Sequence, residues 1–151
     1  MFRGNHPAKV DEKGRLKLPA AFKQLLDAQN VTQFYITSPD GKSAEIWPLP
    51  EWEERERKLA KIGTLNKMVK KYMKVTSYFG QQVEVDNQAR VLIPQILRDK
   101  ATLDSDVTVF GKMTYLEVHN RATFEQDLPA IEMNEDECEA LSDLINPNPN
   151  S

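Results

Sequence analysis

The chain has 151 residues, with 20 Lys and Arg against 23 Asp and Glu and 40% hydrophobic residues, enough for one domain, or two small ones, with a real core. Its single cysteine, Cys138, excludes an intrachain disulfide, and no apolar run reaches the length of a transmembrane helix. The net charge of −3 hides a segregation: residues 1–26 hold six bases and two acids, residues 55–75 eight bases and one acid, and residues 125–151 eight acids and no base. A basic body with an acidic tail points to a polyanion partner and to a tail that competes with it.

The start, Met1-Phe2-Arg3-Gly4-Asn5-His6, lacks an apolar h-region, so no signal peptide is expected and a cytosolic protein is the simplest reading. Next, Asp11-Glu12-Lys13-Gly14 has the form of a type I turn, with Asp first and Gly at the position that favours positive φ. It predicts a hairpin joining His6–Val10 to Arg15–Leu18, stopped at Pro19, which has no N–H for a ladder. A helix is expected over 20–29, a strand over 33–37, a turn at Pro39-Asp40-Gly41 and a strand into Ile46-Trp47.

Two helices follow. The first, Glu51 to Ile62, is opened by Pro48-Leu49-Pro50 and ended by Gly63; Thr64 is placed to cap the second. In the second, Leu65, Met68, Val69, Tyr72 and Met73 share a face that reads as core or subunit contact. Lys67, Lys70, Lys71 and Lys74 share the other, read as a solvated surface in preference to a nucleic-acid contact.

The opening order then returns. Val10 to Phe22 reappears as Val85 to Leu97: apolar, Asp, two polar residues, a small residue, Arg, apolar, any, apolar, Pro. After it come a helix over 95–101, a strand over 106–110, a turn at Gly111-Lys112 and a strand over 115–119. Trp47 is followed five residues on by Trp52, and His119 by Phe124. One supersecondary unit is used twice. The second copy carries Ala89 in place of Gly14, which implies either slight strain, about 1 kcal/mol, or another turn type. The chain closes with a short acidic helix, N-capped by Asn134 with Glu137 in the capping-box position and a thin apolar edge of Leu141, Leu144 and Ile145. Residues 146–151 are expected to be disordered.

Asp11 and Asp86 are explained as turn residues that also orient the arginine four positions on. No turn rule asks for Arg15 or Arg90. Arginine suits bidentate contact with phosphate or guanine. With Arg3, Lys13 and Lys17 nearby, Arg15 is read as a DNA contact; for Arg90 a DNA contact and a purely structural role stay open. His6 and His119 lack companions at metal-ligand spacing, Cys138 has no positive neighbour to activate it, and no catalytic constellation stands out. No catalytic residue, metal, cofactor, small-molecule substrate or membrane association is therefore expected.

At the paired Asp-x-x-x-Arg motifs, with the opening Met-Phe-Arg-Gly and the Pro48/Trp52 element, the chain resembles the MraZ family over roughly residues 1–128. The resemblance implies an α+β fold of two swapped-hairpin, AbrB-like halves. On that reading, residues 1–50 are the first half, 51–78 the linking helices, 79–128 the second half and 129–151 an acidic tail. The halves should interlock, with four motif strands sharing a small barrel-like core. The resemblance further implies a cytoplasmic, nucleoid-associated transcriptional regulator. It would bind double-stranded DNA as a homo-oligomeric ring on direct repeats upstream of a division and cell-wall gene cluster. The family's contact arginine falls on Arg15, with Asp11 as partner, and its second copy on Arg90 and Asp86. The competing reading is a non-catalytic, ring-forming assembly module that binds an acidic protein, with the arginines in subunit salt bridges.

Overall fold

In a computed structural model the chain is an α+β protein, described over residues 1–149. The strands are β1 (Phe2–Lys9), β2 (Arg15–Lys17), β3 (Gln33–Thr37), β4 (Ala44–Pro48), β5 (Gln81–Glu84), β6 (Arg90–Leu92), β7 (Asp106–Met113) and β8 (Tyr115–Asn120). The helices are α1 (Ala20–Ala28), α2 (Leu49–Ile62), α3 (Lys67–Tyr78), α4 (Gln95–Ala101), α5 (Arg121–Ile131) and α6 (Glu135–Ile145).

Six strands form one antiparallel sheet in the order β1-β7-β8-β4-β3-β5, and β2 and β6 form a separate two-stranded ribbon. The first strand of each sequence half pairs with the third strand of the other: β1 with β7, and β5 with β3. Interchanging the halves turns the sheet order into its own reverse. Backbone bonds repeat the relation. Val10 N–H donates to Ser105 O and Val85 N–H to Thr32 O, both at 2.9 Å. At the centre of the relation Leu16 lies opposite Val91 in the ribbon, and Glu45 opposite Glu117 in the sheet. Both halves feed one apolar core: Leu16, Phe22, Leu26, Ile36, Ile93, Leu97 and Val109 are all at most 1% exposed.

Several local expectations are corrected. The segments on either side of Asp11–Gly14 do not zip into a hairpin ladder; only Val10 and Leu16 bridge. β1 is drawn to β7 and β2 to β6, and these longer-range ladders leave the turn as their only direct pairing. β1 also starts earlier than expected, at Phe2, and tolerates Pro7 because it is an edge strand. Gly111 is not a turn residue: β7 runs through it to Met113, and a Cβ there would lie 2.1 Å from the backbone nitrogen of Arg3. It is glycine because β1 crosses so closely. Asn66, rather than Thr64, caps α3, its side chain accepting the Met68 and Val69 N–H groups. Of that stripe Val69 is buried, whereas Leu65, which precedes α3, is 87% exposed and Met68 and Met73 within it are 81% and 43% exposed, so most of the stripe faces outward.

The acidic helix forms as expected, with Asn134 and Glu137 making a capping box, and it buries no residue. Residues 146–149 join no helix or strand; Asn150 and Ser151 lie outside the described residues.

Candidate nucleic-acid interface

Each motif aspartate builds its loop in the same way. Asp11 Oδ1 accepts the Lys13 and Arg15 N–H groups at 3.0 and 2.9 Å, and Asp11 Oδ2 accepts from Arg15 Nε at 2.7 Å. Asp86 repeats the pattern with Gln88 N, Arg90 N and Arg90 Nε at 2.8, 2.9 and 2.8 Å. Backbone N–H donation from the arginine is the main reason both carboxyls sit below the ordinary carboxylate range. The recorded ion pair runs through Nε in each case, which leaves the Nη fork of the guanidinium for a ligand.

The loops are the same turn. Gly14 has φ +83° and Ala89 φ +61°, so the second copy keeps the conformation at a cost of about 1 kcal/mol. Each loop is stitched to the opposite half: Leu18 N–H donates to Ala89 O at 2.8 Å, and Ile93 N–H to Gly14 O at 3.0 Å.

The ribbon then sorts the side chains. Strand alternation turns Leu16 and Val91 inward, where they are 0% and 1% exposed. The outward face carries Arg15 opposite Leu92 and Lys17 opposite Arg90. Three cations from the two copies of the motif thus share one narrow face. A two-stranded ribbon of this kind fits the major groove of B-form DNA.

Lys13 lies in the adjoining loop and is exposed. Arg3 is not brought to the ribbon: it pairs across to Lys112 at the far end of β1, seven residues from Val10, or roughly 23 Å of extended strand.

Two neighbours were missed by sequence reasoning. Leu92 completes the outward face. Arg98 of α4 reaches back from the second half, donating from Nε to Ile93 O at 2.9 Å, and its guanidinium covers the first loop so closely that a Cβ on Gly14 would lie 2.2 Å from its Cζ. The repeat held a signal for it, since Arg98 aligns with Lys23. Lys23 instead pairs with Asp27 on its own helix.

Among the described residues no group of three or more His, Cys, Asp or Glu side chains is arranged to hold a metal ion, and no helix is long and apolar enough to cross a membrane. Cys138 is exposed.

Comparison with known proteins gives a family match. The model described as "MraZ protein, putative antitoxin-like" matches residues 1–70 and 80–143. A protein of Acidobacterium capsulatum named transcriptional regulator MraZ is 54% identical over 144 residues, covering 95% of this chain and 99% of its own length. One of the same name from Koribacter versatilis is 44% identical over 146 residues, covering 95% and 99%. A third, from Methylococcus capsulatus, is 34% identical over 126 residues, covering 83% of each. A match across both copies of the motif, with relatives alike over nearly the whole length, places this chain in the MraZ family.

Proposed function

We propose that this chain is a transcriptional regulator that binds double-stranded DNA sequence-specifically and catalyses no reaction. The observation that carries the proposal is the outward face of the ribbon, where Arg15, Lys17 and Arg90 stand together on strands anchored by Leu16 and Val91. Lys13 extends that face at the loop. Arg3 stands apart and enters only as a flanking cation. Asp11 and Asp86 act as orienting groups. The names of the relatives support the regulatory role.

The duplicated strand pairing supports a division into two AbrB-like swapped-hairpin halves, 1–50 and 79–128, joined by helices 51–78 and followed by the acidic segment 129–151. One ribbon makes few contacts, and a net-acidic chain has little general attraction for DNA. Tight binding then calls for several ribbons on one homo-oligomeric ring, engaging a row of direct repeats upstream of a division and cell-wall cluster in the cytoplasmic nucleoid. Tethering makes the later contacts intramolecular and raises avidity by roughly a hundredfold or more. The exposed Leu65 and Met68 offer apolar surface for such assembly.

The test is a mobility shift with the gene's own upstream DNA, carrying one repeat or several at helical spacing, beside mass measurement of the free protein. The expected result is an oligomer that prefers several repeats and loses specific binding in Arg15→Ala without changing size. No shift at low salt would overturn the DNA reading and leave an assembly module for an acidic protein partner. A shift that is equal for one repeat and several, from a monomer or simple dimer, would overturn the ring alone.

A further inference from the structure

The outward face of the ribbon is not uniform. Three of its four side chains are cations; the fourth, Leu92, is 46% exposed and stands directly opposite Arg15. In the repeat Leu92 occupies the position held by Lys17 in the first copy, two residues after the motif arginine. The fold therefore accepts lysine at this place, and the second copy carries a leucine that burial does not require. Single exposed apolar residues are ordinary on a protein surface. This one differs by lying on a charged face that is proposed to meet DNA.

An apolar side chain among arginines matches the one apolar feature of a base edge in the major groove, the C5-methyl group of thymine. The neighbouring Arg15 fork matches the acceptors of guanine or a phosphate. Opposed residues in such a ribbon have Cβ atoms about 5 Å apart, against a rise of about 3.4 Å per base-pair step. The methyl in reach of Leu92 would then belong to a base pair one or two steps from the one Arg15 contacts.

We infer that Leu92 is a specificity-determining residue that reads a thymine methyl group beside the contact of Arg15. The inference rests on the DNA reading above and deepens it. It also assigns unlike roles to the two copies: Lys17 adds attraction without sequence preference, and Leu92 adds preference without charge.

The test alters the DNA first, so that no change in the protein's folding enters it. Each thymine of a bound repeat is replaced in turn by uracil, which removes only the methyl. Wild-type affinity should fall about fourfold at one position, the worth of one buried methyl group, and stay level at the others. Leu92→Ala should be indifferent to uracil at that position. Leu92→Lys should be equally indifferent while binding DNA of any sequence more tightly, with a salt slope steeper by about one.

Wild-type binding that no uracil weakens, or a Leu92→Ala variant that still loses fourfold at the same position, would overturn the role of Leu92 and leave the DNA reading standing. Absence of wild-type binding to any duplex would overturn both.

Discussion

Glu45 and Glu117 stand directly opposite each other in the central β4–β8 pair, at the point where the two halves of the chain meet. They are the same residue of the repeat, and each is bonded to the side chain two positions on. Trp47 Nε1 donates to Glu45 Oε1 at 3.0 Å, and His119 Nε2 lies 2.5 Å from Glu117 Oε1. Their environments differ. Burial holds the Glu45 carboxyl above the ordinary range, with the charge of Glu117 adding to it. The bond to His119 outweighs burial at Glu117 and, with Lys112 Nζ 3.8 Å away, holds it below.

This pair predicts a stabilising substitution. Folding raises the pKa of Glu45, so its contribution is fully present below the ordinary value of 4.5 and is lost as pH rises through the folded value. Gln at position 45 keeps an acceptor for the Trp47 indole and removes the like charge. Glu45→Gln should gain roughly 0.2–1 kcal/mol at pH 8, the worth of an opposed like-charge pair, and nothing at pH 4. Urea unfolding at the two pH values measures it; equal stability of the two proteins at pH 8 would rule the repulsion out.

The two loops should respond unequally to the same exchange. Gly14→Ala adds a Cβ at φ +83° that pushes the Arg98 guanidinium off the Ile93 carbonyl, so it should cost the roughly 1 kcal/mol of left-handed backbone strain plus the loss of that hydrogen bond. Ala89→Gly relieves the strain at φ +61° but frees the unfolded chain, and should fall within about 0.5 kcal/mol of zero. Chemical denaturation of both variants provides the comparison, and similar losses in both would contradict it.

The ribbon cations should behave as separate phosphate or base contacts. Lys17→Ala and Arg90→Ala should each weaken DNA binding and reduce the salt slope by about one. Lys17 is exposed, so Lys17→Ala should barely move the melting temperature; Arg90→Ala also removes the Nε bond to Asp86 and should lower it slightly. An unchanged salt slope in Arg90→Ala would confine that arginine to holding Asp86.

Deleting residues 133–151 removes α6, which buries nothing, so thermal stability should stay as it is. The segment carries Glu135, Asp136, Glu137, Glu139 and Asp143 with no base. If it shields the basic body, non-specific DNA binding at low salt should tighten. Unchanged or weaker binding after the deletion would limit the segment to a role in solubility.

The sequence made local structure legible where the signal is local. The Asp11 and Asp86 turns, the helix starts after Pro19 and Pro94 and the Asn134 capping box each depend on residues within four positions of one another. The long-range pairings are not carried by spacing. Nothing near Arg15 says that its strand will lie against Val91 and Leu92, so Leu92 passed as one more strand residue and Arg90 had no visible tie to Lys17. Gly111 looked like a turn because glycine signals freedom and close approach with the same letter; only the path of β1 separates the two. Arg98 was hidden for a similar reason, since the Gly14 loop that its guanidinium covers lies on the other half.

The swapped pairing also allows the ribbon to differ along its length. Were β2 and β6 supplied by two identical chains, every substitution would strike both strands, and the ribbon would form only at concentrations where the chains associate. Joined in one polypeptide, the strands meet at any dilution, and each can carry its own residues. Lysine at 17 with leucine at 92, and glycine at 14 with alanine at 89, are differences that two identical chains could not carry. A surface whose ends two identical strands would make interchangeable has instead a front and a back.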